Sequence, residues 1–114
     1  MFDCDVIVDF VYNNGLLYAI IKNLGERPAF GVSVSFDCRI TGAGGTKEIS
    51  ALPLFKNIEF LAPHREIGTL VDKCSSYFRR GQPEKITLTV TYTDVAGKQK
   101  SGIIRHDIGI YREL

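Results

Sequence analysis

"KITLTVTYTDVAGK", Lys85–Lys98, is the stretch that decides the fold. Ile86, Leu88, Val90 and Tyr92 alternate with Thr87, Thr89, Thr91 and Thr93, and a period of two puts one row of side chains on each face of a β-strand. Asp94 suits the first position of a type I turn and Gly97 the left-handed position after it, so the run predicts a hairpin closed by a G1 bulge. Counting outward from an Asp94:Lys98 pair sets Val90 opposite Gly102, Leu88 opposite Ile104 and Ile86 opposite His106. That register places Ile104, Ile108 and Ile110 with the apolar row that faces a core.

The rest of the chain follows the same grammar. Asp5–Tyr12 reads as a first strand, and Asn14-Gly15 as a type I′ turn, because both residues tolerate positive φ. The next run, Leu16–Asn23, is apolar on both faces, which predicts a central position in its sheet with the outer side partly covered. In "KNLGERPAFGVSVSF", Lys22–Phe36, Gly25 and Pro28 turn the chain. Val32, Val34, Phe36, Cys38 and Ile40 then point inward, while Ser33, Ser35, Asp37 and Arg39 point outward. Thr41–Gly45 reads as a flexible loop. Residues 47–60 hold one or two short strands, and the break at Pro53 argues for an edge. "LAPHREIGTLV" supplies a turn and another strand, and Asp72–Lys85 is irregular, with room for one helical turn. Short strands without a long helix predict an all-β fold: one antiparallel two-sheet immunoglobulin-like sandwich of about seven strands, spanning residues 1–114.

Composition narrows the function classes. The chain has 114 residues, 45% of them hydrophobic and 24% charged, enough for one core without disulfide or metal staples. Its formal net charge of +1 gives no long-range field for nucleic acid or an anionic membrane. No apolar run approaches bilayer length, and "MFDCDVIVDF" carries acids where a signal peptide carries cations. Cys4, Cys38 and Cys74 lack CxxC spacing and fit a reducing, cytoplasmic compartment best; a domain excised from an exported protein would read the same way.

Side chains with catalytic potential are few. His106, on the core-facing row, reads as a partly buried, hydrogen-bonded residue, and His64 as an exposed turn residue. Cys38 sits on the apolar phase of its strand and reads as structural. Cys74, near Lys73, Arg79 and Arg80, is the candidate reactive thiol, since neighbouring cations lower a thiol pKa, but without a partnering histidine an incidental loop thiol is the better reading. Asp3, Asp5 and Asp9 could share one face and offer oxygens to calcium, but an alternating strand supplies too few ligands, and a solvated edge is the better reading. "GAGGTK" lacks the spacing of a phosphate-binding loop. "RRGQPEK", with Arg79 and Arg80, could meet an anionic partner, and with His64 it forms a candidate loop site. No cofactor, metal or catalytic set is expected.

With the strands placed, "KNLGERPAFGVSVSF", "ISALPLFKNIEFLAP" and "ITLTVTYTDVAGK" resemble the bacterial and archaeal immunoglobulin-like modules of the cell-adhesion-related, CARDB-like type. That family shows an N-x-G turn before an alternating strand, a leucine-proline turn, and a Y-x-D-x-x-G-K hairpin near the end. The resemblance covers about Lys22 to Ile110 and implies a non-catalytic binding or spacer module. His64 stands where the family usually has glycine after the proline.

In such a sandwich the third, penultimate and last strands lie together. Their outer face then shows Ser33, Ser35, Asp37 and Arg39 beside Thr87, Thr89, Thr91 and Thr93, with Ile103, Arg105 and Asp107 alongside. Threonine is favoured on any exposed strand face, so a solvated face is the simpler reading. The other is a docking surface for a neighbouring domain or protein chain, which makes this the candidate interaction face, with protein–protein interaction or structural spacing as the expected function. The alternative is a small-molecule or carbohydrate-binding sandwich using its inter-strand loops, against which the lack of tryptophan counts. The last strand could form an open edge on which Lys98, Lys100, Arg105 and Arg112 discourage pairing, leaving a monomer or weak homodimer.

Overall fold

The C-terminal hairpin forms in the expected register. In a computed structural model that describes residues 4–114, strand β8 (Lys85–Thr93) pairs antiparallel with β9 (Gln99–Asp107), with Val90 opposite Gly102, Leu88 opposite Ile104 and Ile86 opposite His106. Asp94 closes the loop. Its carboxylate accepts from the Ala96 and Lys98 amides, and Gly97, at φ 78°, donates its N–H to the Asp94 carbonyl.

Two sheets carry the core. One is β1 (Val6–Asn13), β2 (Leu16–Asn23) and β7 (Glu66–Lys73), in the order β1-β2-β7. The other is β6 (Ile58–Leu61), β3 (Ala29–Phe36), β8 and β9, in the order β6-β3-β8-β9. A small ribbon, β4 (Thr41–Gly42) with β5 (Lys47–Glu48), lies outside them. Asn14 and Gly15 take φ 51° and 79° in the turn between β1 and β2, and the doubly apolar β2 lies in the middle of its sheet. The inner rows Val6, Val8 and Phe10, Leu17, Ala19 and Ile21, and Ile86, Leu88 and Val90 are all buried. Among the described residues pairing is antiparallel throughout, and seven principal strands build an all-β two-sheet sandwich with immunoglobulin-like strand order.

Asn23 explains the N-x-G signature. It is 1% exposed at the end of β2; its carboxamide donates to the carbonyls of Arg27 and Leu61 and accepts from the Gly25 amide. One side chain thus shapes the β2–β3 turn and ties it to β6 of the opposite sheet. The seam between β1 and β9 is likewise stitched by side chains. His106 Nε2 donates to the Val8 carbonyl at 2.7 Å with its ring edge-on to Phe10, and the Tyr111 hydroxyl donates to the Phe10 carbonyl. His106 is therefore a half-buried, hydrogen-bonded residue near a strand end.

Four expectations are corrected. Ile110 does not continue the core row: β9 ends at Asp107, a 3-10 turn over Ile108–Tyr111 breaks the alternation, and Ile110 is 69% exposed while Ile108 is buried. Pro53 does not interrupt a strand. It occupies the first turn of a short helix, α1 (Pro53–Lys56), where its missing N–H costs nothing. β6 follows at the sheet edge. Thr41–Gly45 is not a free loop, because Arg80 donates to the Thr41 hydroxyl and carbonyl, and the Gly44 amide donates to Asp72. Finally, β3 ends at Phe36, although Ile40 still reaches the core.

His64 carries backbone strain at the position where the resemblance called for glycine. In Ala62–Arg65 the Arg65 amide donates to the Ala62 carbonyl, and His64 has φ 63°. A non-glycine residue there costs about 1 kcal/mol, and the exposed His64–Glu26 contact at 3.1 Å returns little. His64→Gly should therefore raise the melting temperature by about 4 °C. Thermal unfolding checks this, and an unchanged or lowered midpoint would contradict it.

Candidate functional site

The residues singled out on the third, penultimate and last strands do share one surface. β8 lies between β3 and β9, with Ser33 opposite Thr91, Ser35 opposite Thr89, Thr89 opposite Ile103 and Thr87 opposite Arg105. The threonines are half-buried against one another, whereas Ser35, Asp37, Arg39, Ile103 and Arg105 are exposed. Flat rows of small hydroxyls therefore run across the sheet, with charges confined to one end.

Those charges are held in place. Asp37 donates its amide to the Thr87 carbonyl and accepts from the Thr87 amide through its carboxylate. The Thr87 amide, assisted by the Cys38 thiol, holds the Asp37 carboxyl below its usual value. Arg39 pairs with Glu48 at 2.5 Å, so the pair, rather than a lone cation, borders an open hollow of about 730 Å³ lined by Ser35, Asp37, Phe55 and Lys56. Burial, with the adjacent Asp37, pushes the Cys38 thiol up to about 11. That disfavours the thiolate, in keeping with its structural reading.

Sequence reasoning missed the apolar end of this face. Phe30 lies opposite Thr93 and opposite Phe60 of β6; the two rings meet at 5.6 Å and are 37% and 55% exposed. Simple alternation would put Phe30 in the same row as Val32. Instead the β3–β8 register shifts between Phe30 and Ser33, and Gly31 takes φ 60°, so Phe30 turns outward while Val32 stays buried. The glycine inside an otherwise regular strand was the available signal.

The second candidate site does not assemble. His64 precedes β7, whereas Arg79 and Arg80 belong to or follow α2 (Cys74–Arg79) after its far end, so they flank opposite ends of an eight-residue strand about 25 Å long. Arg80 is engaged with Asp72 at 2.5 Å, and the two side chains are 19% and 6% exposed. Cys74 differs from expectation as well. It is 6% exposed, and burial together with the negative Asp72 raises its pKa, because Arg80 is committed to Asp72 rather than to the thiol. Of the three candidate calcium ligands, Asp3 lies outside the described residues, and Asp9 projects from β1 opposite Ile20. Among the described residues no group of three or more His, Cys, Asp or Glu side chains is arranged around a common point for a metal. No helix among them is long and apolar enough to cross a membrane.

Another cavity, of about 710 Å³, opens at the end of the sandwich between the β2–β3 turn and the β8–β9 hairpin. Ala29 and Tyr92 form its buried floor, and Leu24 and Val95, 58% and 47% exposed, stand at its mouth.

These features define an antiparallel β-sandwich domain with a broad, largely uncharged sheet face. The chain belongs to the family described as a domain of unknown function, DUF8453, whose family model matches residues 3–112. No curated protein matches the chain.

Proposed function

We propose that this domain is a non-catalytic protein-interaction module that binds through the outer face of the β6-β3-β8-β9 sheet. The observation that carries the reading is the exposed Phe30–Phe60 pair beside the hydroxyl rows. Aromatic anchors next to uncharged, shape-simple surface are what the centre of a binding patch requires, and charges such as Arg105 and the Arg39–Glu48 pair sit at its rim. The resemblance to CARDB-like binding and spacer modules supports the same class.

Affinity capture from a source-cell lysate tests this, comparing the native domain with a Thr89→Lys, Thr91→Lys variant and with Phe60→Lys. All three positions face outward, so far-UV circular dichroism should be unchanged. One identified protein, bound natively and lost in both variants, is the expected result; equal capture by all three forms would overturn the reading. The cavity between the β2–β3 turn and the β8–β9 hairpin favours a second reading, a small ligand of mixed polarity held between loops, since its volume lies in the range of ligand pockets.

A further inference from the structure

Among the described residues β9 pairs with β8 alone, so it is the longer edge strand of the four-stranded sheet and its other side is open to them. Which of its backbone groups face outward follows from the ends of the hairpin. Asp94 donates to the Lys98 carbonyl and Ile108 donates to the Glu84 carbonyl, so the even-numbered residues of β9 bond to β8. The N–H and C=O groups of Gln99, Ser101, Ile103, Arg105 and Asp107 therefore point to the open edge. At the midpoint of these five stands Ile103, 56% exposed. A long edge with an exposed aliphatic residue at its centre is a template for strand addition.

We propose that two copies of this chain pair antiparallel along β9, with a two-fold axis at Ile103. In that register Ile103 meets the partner's Ile103, Ser101 meets the partner's Arg105, and Gln99 meets the partner's Asp107. No like charges stand directly opposite on this face, and Gln99 can donate to the carboxylate it faces. On the inner face Gly102 meets the partner's Ile104, and the missing side chain leaves room for the isoleucine. An open hollow of about 410 Å³ lies beside the edge, lined by Ile7, Val8, Ile103 and Ile104 among others. The cations expected to protect this edge do not oppose one another: Arg105 faces a serine, and Lys100 faces the partner's His106, whose Nε2 is bonded to the Val8 carbonyl. Five paired residues on each strand exchange about ten backbone hydrogen bonds, the number a typical interface carries. The product is one continuous eight-stranded sheet.

Sedimentation equilibrium of the native chain, Ile103→Lys, Ile103→Glu and an equimolar mixture of the two variants tests both the pairing and its register. The native chain should dimerise in a concentration-dependent way, and each variant should self-associate about tenfold or more weakly, because like charges then face each other across the axis. The mixture should recover a heterodimer, since lysine then faces glutamate. A native chain that stays monomeric at millimolar concentration, or variants that dimerise like the native chain, would overturn the proposal; a mixture that fails to associate would overturn the register. Ile103→Cys gives an independent measurement. A bonded antiparallel pair sets the Cα atoms about 5.5 Å apart, within disulfide reach, so oxidation should cross-link this variant and leave Thr89→Cys unlinked.

Discussion

Gly42→Ala should destabilise the domain by about 3 kcal/mol or more, lowering its melting temperature by roughly 12 °C. The cause is not conformational freedom, because Gly42 has φ −133°, which any residue adopts. A Cβ there would lie 1.9 Å from the Val71 carbonyl oxygen and 2.8 Å from its carbon. Both are backbone atoms of β7, so no rotamer change relieves the contact and the β4–β5 ribbon must lift away. Lifting it breaks the Arg80–Thr41 and Asp72–Gly44 hydrogen bonds as well. Gly44→Ala is the control: it adds the same methyl group where nothing lies within 4 Å, so only the strain of φ 69° is felt and the loss should be about 1 kcal/mol. Comparable losses in the two variants by denaturant titration would contradict the close-approach account.

Asp72→Ala should cost about 3 kcal/mol, since it leaves the Arg80 guanidinium only 19% exposed and without its anion. Charge, rather than packing, is separated by Asp72→Asn and pH. Burial by itself would raise the Asp72 carboxyl, but hydrogen bonds from Arg80 and from the Lys73 and Gly44 amides outweigh it and hold the group below its usual value. A carboxyl depressed in the folded state stabilises fully above the unfolded pKa of about 3.9, and that stabilisation is lost as pH falls from there through the folded value. The native chain should therefore lose more stability than Asp72→Asn as pH falls from about 5 to 2. Parallel pH profiles of unfolding free energy for the two proteins would refute the assignment.

The ion pair also shows why the cations flanking Cys74 do not activate it. Lys73, Arg79 and Arg80 are adjacent in the chain and suggested an electropositive thiol. α2 instead turns Arg80 onto Asp72, one strand end away, and Cys74 is left buried beside the anion. Proximity in sequence reports neither burial nor which charge a guanidinium has already met. Ile110 fails for a related reason, because alternation assumes an unbroken strand, and the same alternation carried back to Phe30 would fail too. One bulge at Gly31 and one 3-10 turn after Asp107 were enough to reverse the predicted side.

Local pattern determined the all-β class, the I′ turn at Asn14-Gly15, the register of β8 with β9 and the burial of His106, because each depends on residues a few positions apart or on strict two-residue periodicity. It also placed Ser33, Ser35, Thr87, Thr89 and Thr91 on one outward face. Only the tertiary structure decided that Phe30 and Phe60 complete that face, that Gly42 must be glycine and that Arg80 is spent on Asp72. It alone also left β9 as an open edge centred on Ile103. Each of these depends on which distant segments come into contact, and the energies that choose those contacts are backbone sterics and charge pairing across the sandwich rather than any pattern along the chain.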